Sequence, residues 1–212
     1  MNELTDRRRE EKDRRRNEIL AAAAVVAAEY GFDATTMDQV AKQARLSRAL
    51  LYVYFEDKIA LQTGLCEQAL ELLQERFALA TKDARTGRDR LAAMGTAYVA
   101  FSQELPVYFE ALARFEARNA TDLQRDNSRC LELGDDCHGT ITAALREGIA
   151  DGSIRADIGE PNAVSIVLWG FMHGVIQIAA TKGALLEHRG TSATELFEHA
   201  LAMTLRSLSP TP

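Results

Sequence analysis

The chain has 212 residues, 47% of them hydrophobic and 26% charged, enough to bury a sizeable core as one large domain or as a small domain joined to a larger one. Its net charge of −6 excludes a nonspecific nucleic-acid coat spread over the whole surface. Cys66, Cys130 and Cys137 form neither a CxxC pair nor a metal-ligand pattern with histidine, which excludes a disulfide framework and a zinc site and points to a reducing cytoplasm.

The amino terminus, "RRREEKDRRR" at residues 7–16, mixes charges and lacks the apolar run of a secretory signal, so no export is expected. Residues 1–58 carry 11 Lys+Arg and 11 Asp+Glu, leaving 14 and 20 for the rest. A polyanion is therefore expected at the amino-terminal part, where Arg7, Arg8, Arg9, Lys12, Arg14, Arg15 and Arg16 sit together.

No segment alternates long enough to make a strand, whereas apolar spacings of three and four recur throughout, predicting an all-α fold of about nine helices. Ile19, Ala23, Val26, Ala27 and Tyr30 form one stripe on a first helix, and Gly31 stands where a left-handed terminating residue belongs. Thr35 and Thr36 offer capping oxygens to a short helix, "MDQVAKQA", whose Val40 and Ala41 face inward while Asp38, Lys42 and Gln43 face out. Ser47 caps a second short helix, "RALLYVYF", and Asp57 caps a longer one reaching roughly residue 81. Two short helices around a tight turn resemble a helix-turn-helix over about 36–55. Further helices are expected at 88–104, 107–118, 124–150, 161–182 and 192–208, broken at Gly87, Pro106, a polar stretch near 121, "DGSIRADIGEP" and "EHRGTS".

"AVSIVLWGFMHGVIQIAA", residues 163–180, approaches the length of a membrane span. Ser165, His173 and Gln177 argue against a span, as does the absence of a basic flank or a second apolar segment. Gly170 and Gly174 share a face and admit close approach of another helix, so a buried helix–helix contact is expected and no membrane.

Residues 13–73, above all "TTMDQVAKQARLSRALLYVYFEDKIAL", resemble the amino-terminal DNA-binding domain of the TetR family of transcriptional repressors. The matching features are ordered: the "YGFDATT" entry, the "VAKQA" helix, "LS" at the next cap, "LYVYF", and a lysine just inside the following helix. The resemblance implies a three-helix DNA-binding domain at 13–73, followed at 74–212 by a larger helical domain for effector binding and dimerisation. Three positions depart from the family pattern: Arg45 and Ala49 stand where glycine is common, and Val53 where a polar or basic residue is. No operator sequence carries over.

A recognition helix presents its leading turn to base edges while neighbouring donors grip phosphates. Ser47, Arg48, Ala49 and Leu50 occupy that turn; Arg48 can pair with guanine, and Ala49 or Leu50 can touch a thymine methyl. The resemblance implies phosphate contacts by the Tyr52 and Tyr54 hydroxyls, with Leu51 and Phe55 anchoring the helix in the core. Lys58 at one helix amino terminus, and Thr35 and Thr36 at another, complete the expected phosphate clamp.

In the second domain the resemblance implies a homodimer formed through the last two helices and a pocket for a small-molecule effector. Gly170 and Gly174, together with the stripe containing Phe197, Leu201 and Leu205, are the expected dimer interface. Pocket candidates are Tyr98 and Phe101, Tyr108 and Phe115, and Trp169 with His173 one turn apart, with Arg114 or Glu116 as charge partners. No cofactor is expected. Nor is an enzyme: His138 follows Cys137 and Asp136, but adjacent helical side chains diverge, and no GxSxG or HExxH occurs. The expected function is a ligand-released repressor bound to a pseudo-palindromic operator; the alternative is a helical scaffold that never meets DNA.

Overall fold

The structure is a computed structural model describing residues 3–119 and 128–210. Among the described residues it contains ten helices and no strand. Contacts divide it into two compact units, Met1–Ala69 with Pro106–Cys130 and Leu70–Leu105 with Leu131–Pro212.

The first unit is built on α1 (Glu3–Tyr30), α2 (Met37–Gln43), α3 (Arg48–Tyr54), the start of α4 (Lys58–Ala80) and α6 (Pro106–Asn119). α1 buries Ile19, Leu20, Ala23, Val26 and Ala27. Tyr30, expected on that stripe, is half exposed instead, because the helix stops there and its last turn overhangs the core. Gly31 takes φ +78° and donates its N–H to the Ala27 carbonyl at 2.9 Å, ending the helix as expected. Phe32, Met37, Val40, Ala41, Leu51, Phe55, Leu61 and Leu65 fill the centre of the unit.

Helix α6 joins that centre through Ala111, with Val107 and Tyr108 packed beside it. Arg114 extends from α6 to the Asp33 carboxylate in the α1–α2 loop with two bonds of 2.8 and 2.9 Å, lies over the Phe32 ring, and also pairs with Glu110. The hydrogen bonds from Arg114 hold the Asp33 carboxyl below its ordinary range. Arg114 is thus part of the first unit's framework, and the Glu116 side chain lies outside the described residues.

The second unit contains the rest of α4, α5 (Gly87–Glu104), most of α7 (Ser128–Ala150), α8 (Pro161–Thr181), α9 (Gly183–His188) and α10 (Ala193–Leu208). The short α9 lies in the segment read from sequence as a plain connection. The expected start of α7 near 124 lies outside the described residues. α5 and α7 cross at Gly87 and Gly148, where a methyl on Gly87 would overlap the Gly148 backbone. The amino terminus of α5 is held by the Thr86 cap and by Asp151 and Ser153, which accept from the Gly87 and Arg88 N–H groups.

Helix α8 is long and apolar enough to cross a membrane by length and composition, yet it packs on α10 and α5 and buries Ser165, Met172, Val175 and Ile176. Its other face leaves Ile166, Val167, Phe171 and Ile178 exposed.

Candidate nucleic-acid interface

Local chemistry fixes the two short helices before any packing. Thr36 is the cap of α2 and forms a capping box with Gln39, each side chain satisfying the other residue's backbone N–H. At the end of α2, Leu46 N–H bonds to the Ala41 carbonyl and Arg45 N–H to that of Lys42, with Arg45 at φ 56°. This is a Schellman ending whose left-handed position holds arginine rather than glycine. Ser47 then caps α3, accepting from Leu50 N–H at 3.2 Å. Leu51 and Phe55 are buried and lock one face of α3 to the core.

The opposite face of α3 is open: Arg48, Ala49, Leu50, Tyr52 and Val53 are exposed, Val53 at 72%. The Arg48 guanidinium meets the Asp38 carboxylate of α2 at 3.2 Å and lies 5.6 Å from the centre of the Tyr52 ring one turn on. Tyr54 is half-buried against the core of the unit. Lys58 donates from Nζ to the Asp33 carbonyl at 2.7 Å, so a phosphate would have to draw it off that oxygen. Thr35 departs from expectation. It is buried, and its hydroxyl donates to the Gly31 carbonyl at 2.8 Å; it closes the α1–α2 loop and cannot reach a phosphate, leaving Thr36 as the exposed cap. Val53 and Asp38, not among the expected contacts, are exposed beside this face; the spacing of the helix puts Val53 next to Ala49 and Leu50.

The model described as bacterial regulatory proteins, tetR family, matches residues 19–62, and one described as a tetracyclin repressor-like C-terminal domain matches residues 91–204. The chain belongs to the TetR family. No curated protein sequence matches it significantly. Among solved structures, this TetR-family chain is similar to a protein of unknown function from Rhodococcus sp. RHA1, with 25% identity and a TM-score of 0.75 over 92% of this chain and 96% of that one. A ketosteroid transcriptional regulator of Mycobacterium tuberculosis aligns at 22% identity and TM-score 0.67, covering 93% and 96%. A TetR-family transcriptional regulator from Pectobacterium atrosepticum aligns at 22% and 0.70, covering 96% and 98%.

As a TetR-family regulator the protein is a DNA-binding transcription factor rather than an enzyme. That sets aside the scaffold alternative. Burial pushes the Cys137 thiol up to about 12, far from a nucleophilic thiolate.

The expected pocket residues fall into two groups. Tyr108 and Phe115 belong to the first unit, Tyr108 against its core and Phe115 buried. In the second unit Phe101 is fully buried, while Tyr98, Trp169 and His173 meet. The Tyr98 hydroxyl and His173 Nδ1 are 2.7 Å apart, and the His173 and Trp169 rings are 5.3 Å apart. His138, read from sequence only as an unsuitable catalytic base, completes the cluster edge-on to Trp169 at 5.4 Å. Its buried Nδ1 has no hydrogen-bond partner among the described residues, and burial lowers the pKa of both histidines.

The TetR-family dimer surface expected on α10 also needs revision. Phe197 is buried inside its own unit, and Leu201 packs against Gly95 of α5. Phe197 thus belongs to the protomer's own core, where α10 packs on α5 and α8, while Leu201 and Leu205 are half-buried.

Proposed function

We propose that the protein is a transcriptional repressor that acts in the cytoplasm, binds a pseudo-palindromic operator as a homodimer with one α3 per half-site, and is released by a small hydrophobic or aromatic effector. The observation that carries this reading is the outward face of α3. Arg48, Ala49, Leu50, Tyr52 and Val53 are exposed on a helix whose inner face is fixed by Leu51 and Phe55, so its leading turn, with the base-reading side chains, is not covered by another helix among the described residues. Ser47, Thr36, Tyr54 and Lys58 stand around it as phosphate ligands.

Dimerisation is supported by α8, where Ile166, Val167, Gly170 and Phe171 lie exposed on one face, continued by Gly174 and Ile178. A Cβ built on Gly170 or Gly174 meets nothing within 4 Å, leaving room for a second helix to approach closely. Effector binding is supported by the Tyr98, His138, Trp169 and His173 cluster, aromatic and sparingly polar as ligand sites are. A mobility shift assay on the DNA upstream of the protein's own coding sequence tests the reading. A retarded band that weakens steeply with salt is expected; salt-insensitive binding, or none, would refute it.

A further inference from the structure

We infer that Asp38 on α2 sets DNA specificity by competing with the bases for the Arg48 guanidinium. This rests on the proposed base-reading role of Arg48. The two groups are exposed and within 3.2 Å of each other by two atom pairs, Nε to Oδ1 and Nη1 to Oδ2. They belong to different helices, and the Tyr52 ring flanks the guanidinium. Both helix ends are capped by other residues: Thr36 and Gln39 at α2, Ser47 at α3. The Asp38 carboxylate is therefore not needed as a cap; besides its favourable place in the first turn of α2, what it does is hold Arg48.

That arrangement makes a switch with two resting places for one cation. Leaving Asp38 strands a carboxylate in the first turn of α2, close to where phosphates would gather, so the exchange must be repaid. Guanine repays it, presenting O6 and N7 as a paired acceptor in the major groove. A base pair without that acceptor pair does not, and there Arg48 remains on Asp38. A phosphate takes Arg48 only against the repulsion between that same backbone and the freed Asp38 carboxylate, and it carries no sequence information. The carboxylate thus penalises wrong sequences and nonspecific DNA more than the right one.

The test selects bound duplexes from a randomised pool with the full-length wild type, Asp38→Asn, Asp38→Glu, Arg48→Ala, and the Arg48→Ala/Asp38→Asn double variant. Affinity for poly(dA-dT) is measured alongside, and circular dichroism checks the fold. Asp38→Asn should bind poly(dA-dT) several-fold tighter and select guanine several-fold less strongly at one position in each half-site. Asp38→Glu, which keeps the charge, should select like the wild type. In the Arg48→Ala background, Asp38→Asn should leave base preference unchanged, a result that mere removal of a repelling charge does not require of the single variant. If Arg48→Ala changes the selected sequence but Asp38→Asn does not, the inference falls and the base-reading role survives. If Arg48→Ala selects the same sequence as the wild type, both fall.

Discussion

The Tyr98 hydroxyl of α5 and Nδ1 of His173 on α8 lie 2.7 Å apart, joining two helices through a polar bond among aromatic rings. Beside them is Trp169, the single tryptophan of the chain, so its fluorescence reports this cluster alone. Protonated imidazole quenches indole emission. Burial lowers the pKa of both His138 and His173 from 6.5, so emission should stay constant as pH falls to 6.5 and drop only at more acid pH. Quenching centred at 6.5 or above would show the histidines to be solvated.

The same shifts bear on stability. A base whose folded pKa lies below its unfolded one is protonated first in the unfolded chain, so the native state loses ground as pH falls from 6.5 towards the folded values. Tyr98→Phe removes one hydrogen bond and should cost about 1 kcal/mol at neutral pH, read by urea unfolding. A variant as stable as the wild type would mean the bond is replaced by water.

Arg45 is strained where glycine would not be. Its φ of 56° places a Cβ in the left-handed region, at a cost of about 1 kcal/mol. Arg45→Gly should raise stability by roughly that amount, less what glycine adds to the freedom of the unfolded chain, and so raise the melting temperature by about 2–4 °C. No change or a fall in melting temperature would indicate that the Arg45 side chain contributes more than its backbone loses.

Lys58 and Tyr52 test the phosphate clamp, one through its charge and the other through a neutral hydroxyl. Lys58→Ala should weaken binding to all duplexes alike and reduce the salt slope by about 1. Tyr52→Phe deletes one hydroxyl and should weaken binding without changing the slope. If affinity and salt dependence are both unmoved in both variants, the clamp is elsewhere.

Gly174 distinguishes docking from folding. Because a Cβ there meets nothing within the protomer, Gly174→Leu should fold normally, with helix propensity slightly improved by up to about 1 kcal/mol. The same side chain would keep a second α8 from close approach. Size-exclusion chromatography should show a dimer for the wild type and a monomer for the variant; an unchanged dimer removes α8 from the interface.

Much of the first unit was legible from short-range chemistry. The caps at Ser47 and Asp57, a threonine cap on α2 and the glycine ending at Gly31 all depend on residues within five positions of one another. Which of two adjacent threonines would point outward was not legible, since both suit a cap and only the α1–α2 loop decides that Thr35 turns in. Helix α6 joining the first unit through Ala111 was hidden for a different reason: the contact joins residues some ninety positions apart, and an apolar stripe does not name its partner. The stripe on α10 shows the same ambiguity. Phe197 and Leu201 fit a dimer face and a protomer core equally well by pattern, and the packing of α10 on α5 and α8 buries Phe197 while leaving Leu201 half-buried. His138 was missed because a lone histidine on a helix announces no neighbour thirty residues away.

The crossing of Gly87 and Gly148 has a mechanical meaning. At that one point backbone meets backbone, with no side chain of either glycine between α5 and α7. A shift of the α5 amino terminus towards α7 therefore cannot be taken up there by a change of rotamer; the backbones themselves have to part.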